Sequence, residues 1–98
     1  MKQAFTPELA KLVDAHRAAF AEFEATDDEA DEFIGASRAE DLARYDVAMR
    51  PCANDAEFIE KLRYLLATEC SLWGEPEFLT EFGSVVIAVR EHLDRSGG

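Results

Sequence analysis

Residues 76–94 read PEFLTEFGSVVIAVREHLD, and whether they form a helix or a strand decides the fold class. Phe78, Leu79, Phe82, Val85, Val86, Val89 and Leu93 fall three and four positions apart, the period of one helical face. Within this stretch, Ser84-Val85-Val86-Ile87-Ala88-Val89 is β-branched and would also suit a pleated strand. A lone strand would have no partner elsewhere in the chain, and Pro76 suits the first turn of a helix. The stretch is therefore expected to be a helix over 76–94. Ile87 then points away from the main face and becomes a candidate intermolecular contact.

Working back from that helix, Trp73-Gly74-Glu75-Pro76 reads as a turn. Before it, Asn54-x-x-Glu57 is a capping box that starts a helix over 55–70, with Phe58, Ile59, Leu62, Leu65 and Leu66 on one face. Pro51 stops a shorter helix over 38–49, which opens at a second box, Ser37-x-x-Glu40, and carries Leu42, Tyr45, Val47 and Met49. At the other end, Thr6-Pro7-Glu8 opens a helix whose apolar positions are Leu9, Leu12, Val13, Phe20 and Phe23, with His16 on the same face. Ala30, Phe33 and Ile34 extend that pattern, so one helix over 7–34 is expected, ended by Gly35. A break at Thr26-x-x-Glu29, a third possible box, is the alternative. The expected fold is all-α: a small antiparallel bundle of three or four helices with a long N-terminal helix, forming a single domain over 1–98. Its last helix should be central, and its core should hold Leu12, Phe20, Leu62, Leu65, Leu66, Phe82, Val86 and Val89.

Ninety-eight residues suffice for one thin core. The formal net charge is -11, and it is concentrated: residues 22–60 carry thirteen acidic and three basic side chains. Such a surface repels phosphate backbones and anionic membranes, so neither direct nucleic-acid binding nor membrane association is expected. Asp27, Asp28, Glu29, Asp31 and Glu32 form the densest part of the run, either a solubilising face or a docking face for a basic partner. No segment reaches the roughly 18 apolar residues of a membrane helix. The first seven residues lack the apolar run of a secretory signal, which points to a cytoplasmic protein with Cys52 and Cys70 as thiols.

The residues that could carry chemistry do not combine into known patterns. A calcium loop starting at Asp27 would need Gly at 32 and Glu at 38, where the chain has Glu32 and Arg38. The separations of His16, Cys52, Cys70 and His92 match none of the short paired spacings of zinc sites. Val13 and Val89 stand where a Glu-x-x-His di-iron motif would need Glu. His16 falls on an apolar face, as a satisfied core histidine would, and His92 lies near a helix C-terminus. There is no phosphate-binding glycine loop, nucleophile elbow or dinucleotide fingerprint. Neither a cofactor, a metal nor an enzymatic activity is expected.

His16-Arg17-Ala18-Ala19-Phe20-Ala21-Glu22-Phe23 resembles the first helix of short helical proteins of alphaproteobacterial genomes. Lys61-Leu62-Arg63-Tyr64-Leu65-Leu66-Ala67-Thr68-Glu69 resembles their later helix, which follows a proline-containing connection as Pro51 does here. The resemblance implies a helical hairpin packed on a third helix, and no substrate or site residue.

Two functional classes follow. The first is a non-enzymatic protein-interaction module, an adaptor or regulator, that self-associates. Apolar and aromatic positions exceed what short helical faces can bury, and Phe33, Trp73 and Ile87 are the candidate interface residues of a homodimer. The alternative is an acidic inhibitor that imitates nucleic acid and occupies the basic groove of a DNA- or RNA-binding enzyme, as an anti-CRISPR or anti-restriction protein would. Arg38, Arg44 and Arg50 interrupt the acidic run and weigh against it.

Overall fold

The structure, a computed structural model, describes residues 5–74 and 82–96. They form four helices, α1 (Pro7–Ala25), α2 (Phe33–Met49), α3 (Asp55–Trp73) and α4 (Gly83–Ser96), and no strand is present among them. The β-branched run 84–89 is thus helical.

The single helix over 7–34 is not what forms. α1 stops at Ala25, and the chain turns through 26–32 before α2 begins. Side chains draw the backbone out of the helix here: Thr26 Oγ1 donates to the Glu22 carbonyl at 2.7 Å, and Asp27 Oδ1 accepts the Glu29 amide at 3.1 Å. Five carboxylates within six residues would also repel one another along a helix, at its unfavourable C-terminal end. The break therefore falls where the alternative placed it, although Thr26-x-x-Glu29 caps no helix. Gly35, expected to end a helix, instead lies in the first turn of α2. Ser37-x-x-Glu40 lies inside α2 as well, so it is not a capping box.

The other boundaries follow their local chemistry. Arg50 is extended (φ -68°, ψ 125°), as a residue before proline should be, and Pro51 ends α2. Asn54 Oδ1 accepts the Glu57 amide at 2.9 Å, and Glu57 Oε1 accepts the Ala53 amide at 2.7 Å, so the box at α3 forms almost as its sequence implies. α3 runs past 70 to include Trp73 and closes on Gly74 at φ 82°, a left-handed position that suits glycine. The expected last helix forms over 83–94; Phe82 is not helical, so α4 starts at Gly83, and residues 76–81 of the expectation lie outside the described residues.

Pairings between helices fix the topology. His16 meets Glu40 and Phe23 meets Phe33, so α1 and α2 are antiparallel. Arg44 meets Glu69 and Ala48 meets Lys61, which sets α3 antiparallel to α2. Glu69 meets Ser84 and Phe58 meets His92, which does the same for α4 on α3. Among the described residues, α2 packs on all three other helices, so it takes the central place expected of the last one.

Leu9, Val13, Val47, Ala48, Cys52, Leu65, Phe82, Val85 and Ala88 form the buried apolar core. Of the expected core, Leu65 and Phe82 belong to it, Leu12, Leu62, Leu66 and Val89 pack at its border, and Phe20 and Val86 are only half-buried. α4 can approach α2 closely because Gly83 has no side chain: a Cβ there would run into the Tyr45 hydroxyl. Gly83→Ala should lose about 1 kcal/mol, because overpacking costs more than the helix propensity gained. In a Tyr45→Phe background the same change should be neutral or stabilising. Urea denaturation of the four-member cycle checks this, and equal costs in both backgrounds would place the strain elsewhere.

Glu57 also links two helix beginnings, because its Oε2 accepts the backbone amide of Thr6, the residue before α1. Its burial opposes the charge, but the Thr6 and Ala53 amides outweigh that and hold its carboxyl below the usual value of 4.5. The unfolded chain takes up this proton first as pH falls. The stability linked to Glu57 is therefore complete above about pH 4.5 and lost progressively below it. Glu57→Gln should flatten this acid limb, measured by urea midpoints at successive pH values. An unchanged slope would assign the acid sensitivity to other carboxylates.

Candidate interaction surface

The four helices enclose a polar cluster that sequence reasoning did not anticipate. His16 of α1 is fully buried, with Nε2 at 2.8 Å from Glu40 Oε2 and Nδ1 against the Tyr64 hydroxyl of α3. A carboxylate can only accept, so the simplest assignment puts the imidazole proton on Nε2 and lets Tyr64 donate to Nδ1. Arg44 of α2 lies 3.4 Å from Glu40, 2.6 Å from Asp41 and 3.2 Å from Glu69 of α3. Glu69 in turn accepts the Ser84 amide at 3.1 Å and the Ser84 hydroxyl, which caps the start of α4. Burial pushes the Tyr64 hydroxyl up, with the Arg17 guanidinium over its ring pulling the other way. The members pair with one another across the helices, although Arg44 Nε and Nη1 lie near the Glu40 and Glu69 carboxylates without hydrogen-bond alignment. The arrangement suits a device for fixing helix register.

Near the start of α3, Cys52, Asp55, His92 and Arg95 border a cavity of about 210 Å³. His92 stacks on Phe58 with centroids 3.8 Å apart, and its Nε2 lies 3.1 Å from Asp55. Burial pushes the Cys52 thiol up, away from the thiolate that a nucleophile or metal ligand needs. Among the described residues, no three His, Cys, Asp or Glu side chains converge as metal ligands.

A further groove is largely apolar. Where the α1–α2 turn meets the end of α3, a groove of about 580 Å³ opens. Phe23 and Phe33, with rings 5.5 Å apart, join Leu72 in lining it. Ile34, Leu42 and Trp73 also line it and remain 78%, 58% and 69% exposed. Ser37, Arg38, Glu40, Asp41 and Arg44 supply its polar part.

Phe33 and Trp73, 40 residues apart in sequence by their numbers, are thus brought to one groove. Ile87 is not: it is half-buried against the core on α4, which corrects the expectation that it points outward. Asp27, Asp28, Glu29, Asp31 and Glu32 are all exposed in the turn that leads directly into Phe33. Leu42, read as one of the apolar residues of the helix over 38–49, is exposed. With α2 starting at Phe33, Ile34, Arg38 and Leu42 form a four-residue spacing along one exposed stripe.

No helix among the described residues is long and apolar enough to cross a membrane. Comparison with protein-family models, curated proteins and solved structures finds no match to this chain.

Proposed function

We propose that this protein is a non-enzymatic interaction module, an adaptor or regulator, that engages protein partners through the groove lined by Phe33, Ile34, Leu42 and Trp73. The observation that supports this is the convergence of three largely exposed apolar side chains from two helices on one concavity. Large aromatic and aliphatic side chains left in water around a groove are the usual anchors of recognition. The test is a photo-crosslinking amino acid at position 42 in the producing cell. A specific adduct with another polypeptide, lost in Trp73→Ala, is expected. No adduct, or one indifferent to Trp73, would overturn the reading. Homodimerisation through the same groove would appear as an adduct of the chain with itself and as a dimer in sedimentation equilibrium, tightening with salt as the acidic turns are screened.

Nucleic-acid mimicry is the second reading, and one observation favours it. Arg44 is buried in its ion pairs, so only Arg38 and Arg50 interrupt the exposed acidic surface of residues 22–60. Mimicry works through carboxylates. It would survive Ile34→Ser and Trp73→Ala, and it would be lost when Asp27, Asp28, Glu29, Asp31 and Glu32 are neutralised. Inhibition of a nucleic-acid-binding enzyme by these two sets of variants separates the readings.

A further inference from the structure

We infer that the groove's occupant is a cationic amphipathic helix of a partner protein, a proposal that rests on the reading of the groove as an interaction surface. Its apolar lining calls for an apolar stripe. The exposed carboxylates of residues 27–32 lie in the turn that joins Phe23 to Phe33, both of which line the groove. Arg38 is the exposed cation of that lining, while Arg44 is buried and occupied by Glu40, Asp41 and Glu69. Lysine or arginine flanking an apolar stripe would therefore meet the acidic turn at the end of the groove that Phe23 and Phe33 form, which favours encounter and sets orientation. The described residues offer no sheet edge that an extended segment could join, so a helix laid in the groove is the recognition mode that fits. A second copy fits poorly, because each copy brings the same acidic turn to the other's groove.

Trp73 is the chain's sole tryptophan, and it lines the groove, so its fluorescence reports occupancy directly. The probe is a leucine–lysine helix of about 18 residues, five turns long and without tryptophan. It is compared with a leucine–glutamate helix, a neutral leucine–glutamine helix and a scrambled leucine–lysine peptide. The leucine–lysine helix should give a saturable blue shift, weakened about tenfold from low to high salt. Leu42→Ser and Ile34→Ser, both at exposed positions and so compatible with folding, should each weaken it about tenfold, the cost of one apolar anchor. Equal binding of the neutral or acidic helix would overturn the charge assignment and leave the groove as an interaction surface. Equal binding of the scrambled peptide would show that charge alone suffices, without the groove. A Trp73 shift with protein concentration in the absence of peptide, alongside a dimer in sedimentation, would assign the groove to a second copy. No shift with any peptide or with concentration would overturn both the occupant and the groove.

Discussion

Arg44→Met is expected to lower the unfolding free energy by about 3–5 kcal/mol, the usual cost of leaving buried charge without its partner. The guanidinium is the only cation in contact with both Glu40 and Glu69 among the described residues, and both carboxylates are buried. Without it, Glu40 keeps only His16, and Glu69 keeps only the amide and hydroxyl of Ser84. Arg44→Lys should recover only part of the loss, because a point ammonium cannot reach Glu40, Asp41 and Glu69 together as a planar fork does. The triple variant Arg44→Met, Glu40→Gln, Glu69→Gln should be much more stable than the single one, since no uncompensated charge is left inside. Urea denaturation of the three variants checks this. A loss under about 1 kcal/mol for Arg44→Met would show that water or a side-chain rearrangement solvates the carboxylates.

That cluster marks where the sequence stopped being informative. Periodicity located four helical regions because it reports burial of apolar side chains, whereas Glu40, Asp41, Arg44 and Glu69 of the cluster are charged. Glu40 looked like the closing residue of Ser37-x-x-Glu40, a local role, yet its partners His16 and Arg44 come from another helix and from one turn further along its own. His16 was legible as a core histidine, and its partners were not. The one capping box that formed, Asn54-x-x-Glu57, is the one preceded by a proline-stopped helix. There, no competing apolar pattern runs through the box. The acidic turn failed the opposite way: Ala30, Phe33 and Ile34 keep helical spacing with α1, and the pattern is blind to repulsion among the carboxylates between them. Starting α2 at Phe33 rather than 38 is what brings Ile34 onto the same exposed stripe as Leu42, beside Trp73. The groove therefore could not be read until that boundary was known. Phe33 and Trp73 could be proposed singly, as large apolar residues without an obvious place in the core.

Lys61→Ala is expected to be comparably severe, with a loss of about 3–5 kcal/mol. Lys61 is fully buried, and its Nζ donates to the carbonyls of Ala48 and Arg50, each at 2.8 Å, at the end of α2. Those carbonyls lie at the negative end of the helix dipole, so the ammonium satisfies hydrogen bonds and dipole together. Alanine would leave both without this donor, at about 1–3 kcal/mol each if water cannot enter, and would add a cavity where the four-carbon stem was. Lys61→Met fills the cavity but lacks the donor as alanine does, so the difference between the two variants isolates packing from hydrogen bonding. A second signature comes from pH. Burial holds the Lys61 ammonium below its usual 10.5, with Cys52, Glu91 and Glu57 acting the other way. The unfolded chain therefore binds this proton more tightly, and the Lys61 contribution makes stability rise with pH from the lowered folded value up to about 10.5. Cys52, Tyr45 and Tyr64 are pushed up chiefly by burial, and they make stability fall as pH rises above about 9 for the thiol and 10 for the phenols. The two trends oppose each other in the wild-type protein. In Lys61→Met the rising one is gone, so the alkaline loss should steepen, read as urea midpoints between neutral pH and about pH 11. A variant whose midpoint follows the wild type in parallel across that range would show that Lys61 titrates alike in the folded and unfolded chains.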